Sequence, residues 1–258
     1  MTVLLLKAFK HNWSAQASNK VNLWAAMITM IVNNVFFLYG MWLMLFDGKA
    51  QNKPLFPYYL TMTALAYVAW GSLNFFLGGL REMGEMIDSG KLEPMMGTPR
   101  SPLLLVAISQ SSATALGDLL QGVVTLIALF WLCDIEWVLR AIFASVVVVI
   151  GFAAIFIAAG TLAFFVNRGA QLSFFIIEST LSFTMYPVTK ILDGPSRMLL
   201  YVIPAAITAT LPMTWIEETG WIHFAEMMIC TSLVFLLSIV FFNTGLKRYR
   251  AASFVSTR

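Results

Sequence analysis

Apolar residues fall along this chain in long blocks separated by short polar stretches. Six blocks stand out: Leu23–Phe46, Tyr58–Leu80, Leu103–Leu132, Val138–Val166, Leu172–Leu192 and His223–Leu246. Within each block the apolar positions are nearly continuous instead of forming a stripe every three or four residues. Such helices are apolar all round, which suits burial in hydrocarbon better than one-sided packing on a soluble core. About 20 apolar residues as a helix cross a ~30 Å hydrocarbon layer. The pattern predicts an all-α membrane protein, one domain over residues 1–258, with six transmembrane helices.

Two regions fall outside simple spans. In residues 1–20, a helix would place Leu6, Phe9, Trp13 and Ala17 on one face and Lys7, Lys10 and Ser14 on its polar neighbour. That arrangement predicts a helix lying in the headgroup plane, with its lysines reaching anionic lipid. The apolar run Val3–Leu6 is too short for the core of a secretory signal, and none is expected. The second region is 193–221. Asp193-Gly194-Pro195 breaks a helix, and the apolar stretch Met198–Met213 is short and cut by Pro204 and Pro212. A stretch of this length dips into a membrane and returns more readily than it crosses. The expectation is a re-entrant hairpin between the fifth and sixth spans, on the outer side.

Charge sets the orientation. The chain of 258 residues is 59% hydrophobic and 11% charged, with a net charge of +3. Lys7, Lys10, Lys20, Arg81, Lys91, Arg100, Arg168, Lys247, Arg248, Arg250 and Arg258 lie on one side of the six-span scheme. Lys49, Lys53, Arg140, Lys190 and Arg197 lie on the other. The positive-inside rule therefore puts both termini and residues 81–102 in the cytoplasm. The cations are spread over short loops, so no nucleic-acid partner is expected.

Candidate chemistry is sparse. No Gly-x-x-x-x-Gly-Lys-Ser/Thr loop is present, so ATP is not bound in that manner. His11 and His223 fall on opposite sides of the membrane, and Cys133 and Cys230 lie far apart in sequence, so neither a metal site nor a disulfide is expected. Trp131, Trp137, Trp215 and Trp221 gather at the outer boundary, where amphipathic rings are favoured. Ionisable groups inside spans are costly, and each is a functional candidate. Asp118, with Gln121 nearby, lies in the third span; Glu178 lies in the fifth; Glu226 sits near the outer end of the sixth. Asp118, Gln121 and Glu178 either line a polar path or tie neighbouring helices together.

The stretch Ile87–Leu104, IDSGKLEPMMGTPRSPLL, is unlike the rest. Arg81, Glu82, Glu85 and Asp88 carry the second span into the cytoplasm as a polar helix, Gly90 can end it, and Lys91-Leu92-Glu93 starts a further short element. Pro99 and Pro102 steer re-entry into the third span. A flexible linker would use Gly and Ser. This composition predicts a rigid, mixed-charge protrusion, which can dock a partner with little loss of conformational entropy.

The pattern Ile87-x-x-Gly90-x-Leu92-Glu93-x-x-Met96-x-x-Pro99-x-x-Pro102-Leu103 resembles the loop motif of a branch of ABC-2 type transporter permeases. Glu93, Met96 and Thr98 stand where that motif has Asp, Leu and Arg. The run Gly245-Leu246-Lys247-Arg248-Tyr249-Arg250-Ala251-Ala252-Ser253 is similar to the same branch's closing motif. Tyr186-Pro187 and the Pro204…Pro212 spacing resemble its fifth and re-entrant segments. The resemblance implies a bacterial exporter permease of the cytoplasmic (inner) membrane with the interfacial helix, six spans and hairpin described above. It implies two paired permeases, identical or related, each receiving a nucleotide-binding ATPase subunit. Residues 81–102 would be the coupling segment, with Glu82, Glu85, Asp88, Lys91, Leu92, Glu93 and Arg100 at the docking surface. No catalytic residue and no cofactor are expected on this chain, since ATP and Mg would sit on the ATPase. The alternatives left open are an ion-gradient-driven carrier or channel acting through Asp118 or Glu178, and a non-transporting membrane scaffold.

Overall fold

In the computed structural model, residues 10, 13, 14, 16–46, 55–186 and 204–256 are described. Their regular structure is entirely helical: α1 (Lys20–Phe46), α2 (Leu55–Phe76), α3 (Met83–Asp88), α4 (Glu93–Met96), α5 (Pro102–Ala107), α6 (Thr114–Ala128), α7 (Ile135–Thr161), α8 (Gly169–Met185), α9 (Thr210–Glu217) and α10 (Trp221–Ser256). Short 3₁₀ turns at Gly78–Leu80, Leu129–Trp131, Leu162–Phe164 and Pro204–Ala206 extend or link them.

Among the described residues, four helical stretches are long and apolar enough to cross a membrane: Lys20–Met44, Thr114–Trp131, Ile135–Phe164 and Trp221–Tyr249. They correspond to the first, third, fourth and sixth expected spans. The second expected span forms α2 and the fifth forms the shorter α8. α2 carries Tyr58, Tyr59, Thr61, Thr63, Tyr67 and Asn74, yet all of these are buried. It sits at the centre, packed along α6, α7 and α8. A helix wrapped by protein need not be as apolar as one facing hydrocarbon, because neighbours satisfy its polar groups. Here Trp137 Nε1 donates to Thr61 Oγ1 at 2.9 Å, and the Thr61 hydroxyl donates to the Pro57 carbonyl at 2.7 Å.

The outer helices have the opposite character. α1 exposes Trp24, Ile28, Val32 and Phe36, and α10 exposes Ile229, Leu233, Leu236, Leu237 and Val240. An apolar surface this continuous marks contact with membrane or another protein. The core lies between α2, α7 and the short helices that follow α2, around Phe152, Phe156, Met83 and Leu92. Trp70 meets Phe152 and Phe156 edge-on at 6.4 and 5.6 Å.

The third expected span departs from its continuous reading. A break at 108–113 separates α5 from α6. Its cause is the polar run Ser109-Gln110-Ser111-Ser112, whose groups bond locally and to the end of α2. Ser109 Oγ donates to the Val106 carbonyl at 2.7 Å, Ser111 Oγ to the Phe75 carbonyl at 2.7 Å, and the Ser112 amide to the Asn74 carbonyl at 3.1 Å. Serine hydroxyls that satisfy backbone groups this way compete with a continuing helix. The break lets Gly79 lie directly against the Val106 carbonyl, closer than any side chain allows.

Most of the expected interfacial helix over residues 1–20, and the first part of the expected hairpin over 193–203, lie outside the described residues. Of the N-terminal remainder, Trp13 meets Phe75 edge-on at 5.9 Å and Gln16 Nε2 donates to the Ser111 carbonyl. Of the 193–221 segment, α9 packs beside α7 and α10.

Candidate functional site

The segment after α2 is pinned to the bundle by an apolar underside. Met83, Met86, Ile87 and Leu92 are buried in the main core, and Met95 and Met96 are half-buried against it. Gly84 gives α3 close access to α8: a methyl group there would lie 3.0 Å from Ala170 Cα. Gly160 on α7 likewise leaves room for the Met83 side chain of α3. The protrusion expected from sequence is therefore a shelf on the bundle, with helices α3, α4 and α5 as its surface.

The turn between α3 and α4 uses Gly90 at φ +73°, a conformation that side chains rarely adopt. It brings the Leu92 amide to the Met86 carbonyl at 3.2 Å and drives the Leu92 side chain inward. Leu92, expected at the docking surface, is fully buried and acts from beneath it. Glu85, Asp88, Lys91, Glu93 and Arg100 are exposed, and Glu82 is half-buried.

Four of the exposed residues also have partners within the chain. Lys91 Nζ lies 3.3 Å from Glu85 Oε1. Asp88 Oδ2 accepts the Ala170 amide at 2.9 Å, placing a carboxylate at the start of α8, where the helix dipole favours negative charge. Glu93 Oε1 accepts the Tyr249 hydroxyl at 3.2 Å. Glu93 and Tyr249 belong to the two motifs singled out in the sequence, so the fold joins them.

Asp118, Gln121 and Glu178, the polar candidates inside the bundle, each have a partner. Asp118 is 2% exposed, and its Oδ1 accepts the Asn34 side-chain amide at 2.7 Å. The Tyr67 hydroxyl donates to the Asn34 carbonyl at 3.3 Å, so α1, α2 and α6 meet in one polar cluster. Gln121 Nε2 donates weakly to Thr125 Oγ1 at 3.4 Å. Glu178 Oε1 lies 2.6 Å from Arg81 Nη2. The Arg81 guanidinium also lies over the Trp70 ring at 5.0 Å and the Phe174 ring at 5.5 Å.

Asn34 and the inward role of Arg81 were missed in the sequence. Arg81 is the first cation after the second apolar block, so it reads as cytoplasmic; its long side chain turns back between α2 and α8 instead. Asn34 is a single amide in an apolar run and signals nothing without its neighbour. At the start of α10, His223 sits between Glu218 and Glu226, with Nε2–Oε2 3.1 Å and Nδ1–Oε2 3.2 Å. Among the described residues, no cluster of His, Cys, Asp and Glu is arranged to hold a metal ion.

Residues 56–253 match a family model described as ABC-2 family transporter protein. No curated protein matches the chain.

Proposed function

Because the chain belongs to the ABC-2 family of transporter proteins, we propose that it is the permease subunit of an ATP-driven exporter whose ATPase is a separate chain docking on residues 81–102. ABC-2 permeases are membrane subunits of transporters and generally work with ATP-binding subunits. The observation that carries the docking reading is the shelf itself. Its short helices are anchored underneath by Met83, Met86, Ile87 and Leu92 and offer charge outward through Glu85, Lys91, Glu93 and Arg100. A surface already held in place binds without losing much conformational entropy.

In this reading six segments cross the bacterial inner membrane with both termini in the cytoplasm. α2 and α8 complete the six, and the 193–221 segment forms the outer hairpin. The chain pairs with a second permease, identical or related. It carries no cofactor, and ATP and Mg bind the partner ATPase. Force applied to α3 and α4 passes to α8 through Asp88 and Gly84, and to α10 through Glu93 and Tyr249. Asp118, Gln121 and Glu178 border the path, Asp118 and Glu178 as braces between helices.

The test is purification from the native host of a double swap, Glu85→Lys with Lys91→Glu. The swap keeps the Lys91–Glu85 attraction within the shelf while inverting the charges shown to a partner. Wild type is expected to bring a nucleotide-binding ATPase in stoichiometric amount, and the folded double swap to lose it. Retention of the ATPase by the swap, or its absence from wild type across mild detergents, would overturn the docking assignment.

A further inference from the structure

A mainly apolar groove of about 440 Å³, with Ser179 and Thr180 its polar lining residues, runs between α7, α8 and α10. Its floor is Ala158 and Ala159, whose small side chains leave the space, and its walls are Leu162, Ile176, Val234 and Phe241. The hydroxyl of Thr180 on its edge already donates to the Ile176 carbonyl at 2.8 Å, so it asks for no polar guest. From Val234 to Phe241 the groove is roughly 10 Å long at ~1.5 Å per residue. That is a large part of one leaflet's ~15 Å of hydrocarbon.

The cytoplasmic end of the groove is cationic. Phe241 in the wall stacks on Phe165 at 5.3 Å with the rings parallel to 2°, and the Arg248 guanidinium lies over Phe165 at 5.4 Å. Arg168, three residues beyond Phe165 in sequence, and Lys247, next to Arg248, are exposed as Arg248 is, and none of the three forms an ion pair with a described carboxylate. Gly245 allows Phe164 to press against α10, which holds the basic turn beside the end of α7.

An acyl-sized apolar groove continuous with a ring-supported cluster of cations matches one kind of molecule. We propose that the groove holds an acyl chain of an anionic phospholipid of the cytoplasmic leaflet, with its phosphate at Arg168, Lys247 and Arg248. Anionic headgroups are attracted to such basic clusters at a membrane surface, and the apolar walls add burial of the chain. The basic turn carries Tyr249, which holds Glu93, so the lipid would brace the same helix end that contacts α4. The inference rests on the orientation proposed above, which puts this end of the groove at the cytoplasmic leaflet, and stands apart from the ATPase reading.

The experiment reconstitutes the full chain in nanodiscs containing equal phosphatidylglycerol and phosphatidylcholine with identical acyl chains. Native mass spectrometry after gentle release reads which lipid stays bound. Wild type is expected to retain phosphatidylglycerol several-fold over phosphatidylcholine. Ala158→Phe, which fills the groove and leaves every charge in place, is expected to lose the bound lipid. Arg168→Gln with Lys247→Gln and Arg248→Gln is expected to bring the two lipids to parity. Equal retention by wild type would overturn the proposal. So would undiminished phosphatidylglycerol retention by folded Ala158→Phe, which would reduce the effect to surface adsorption. Disulfide crosslinking of Ala158→Cys between two copies in native membranes would also overturn it, by showing that protein covers the groove.

Discussion

The Tyr249 hydroxyl reaches Glu93 Oε1 at 3.2 Å across 156 positions of sequence. One partner lies near the C-terminal end of the last helix and the other begins α4, so the contact ties the chain's final helix to the shelf after α2. Removing the hydroxyl with Tyr249→Phe keeps the ring against Phe164 and deletes only this tie. An exposed neutral-to-carboxylate bond adds little to global stability, and the melting temperature should fall by less than about 3 °C. Amide exchange over residues 91–97 should nevertheless rise, while α2 and α7 stay protected. Unchanged exchange over 91–97 would show that the tie does not hold α4.

Arg81 and Glu178 form a partly exposed pair, at 30% and 33% exposure, supported by two aromatic rings. Solvent screening limits the pair to about 1–2 kcal/mol. Glu178→Gln should lower the melting temperature by roughly 3–6 °C. Arg81→Lys should cost nearly as much although it keeps the charge, because an ammonium does not stack as a guanidinium does. The exchange Arg81→Glu with Glu178→Arg should recover only part, since Trp70 would then face a carboxylate. Melting curves of the set in one detergent decide this.

Gly71 is where α2 and α6 touch through their backbones. A methyl group there would sit 2.7 Å from Leu119 Cα and 2.8 Å from the Ala115 carbonyl. Backbone cannot yield as a side-chain tip can, so Gly71→Ala should destabilise by about 1–3 kcal/mol. Gly40 on α1 has open space around it, and Gly40→Ala should be neutral or stabilising by up to about 1 kcal/mol through helix propensity. The two alanines compared side by side separate close approach from generic helix effects.

Asp118→Asn can still accept the Asn34 amide, whereas Asp118→Leu strands that buried donor. The leucine variant should lose about 1–3 kcal/mol and the asparagine variant far less. Transport driven by ATP should survive Asp118→Asn. An ion-gradient mechanism running through this carboxylate demands the reverse, a well-folded Asp118→Asn protein with no transport.

Cys133 lies between the third span and α7, on the side assigned to the exterior. Burial, and then the adjacent Asp134 carboxylate, push its thiol pKa above the ordinary value. Only the thiolate attacks a maleimide, so labelling should be slower than for a free cysteine at neutral pH and should accelerate as pH rises. In a Cys230→Ser background, a membrane-impermeant maleimide should label Cys133 from outside intact spheroplasts. Labelling only after lysis would invert the proposed topology.

The membrane class, the helical composition and the limits of most long helices were legible in the linear pattern, because burial in hydrocarbon needs continuous apolar length and little else. Gly90 was equally legible as the end of α3, since a positive φ suits glycine. Four of the expected segments emerged as helices long and apolar enough to span. The third span was read as one run because its serines are small and sit between apolar residues. Its break becomes visible only when Phe75 and Asn74 arrive from α2 to accept their hydrogen bonds.

The site residues divide in the same way. That residues 81–102 are charged and interrupt the apolar blocks follows from composition alone. Which of them face outward does not: Leu92 is buried because the Gly90 turn folds it under the shelf, and Asp88 is committed to the start of α8. Arg81 meets Glu178, Asn34 meets Asp118, and Tyr249 meets Glu93 across separations of 97, 84 and 156 residues. Hydrophobic pattern, charge balance and turn chemistry are local or additive, so the linear sequence determined them. Pairings between distant polar groups depend on helix rotation and depth in the packed bundle, and only the tertiary structure decided those.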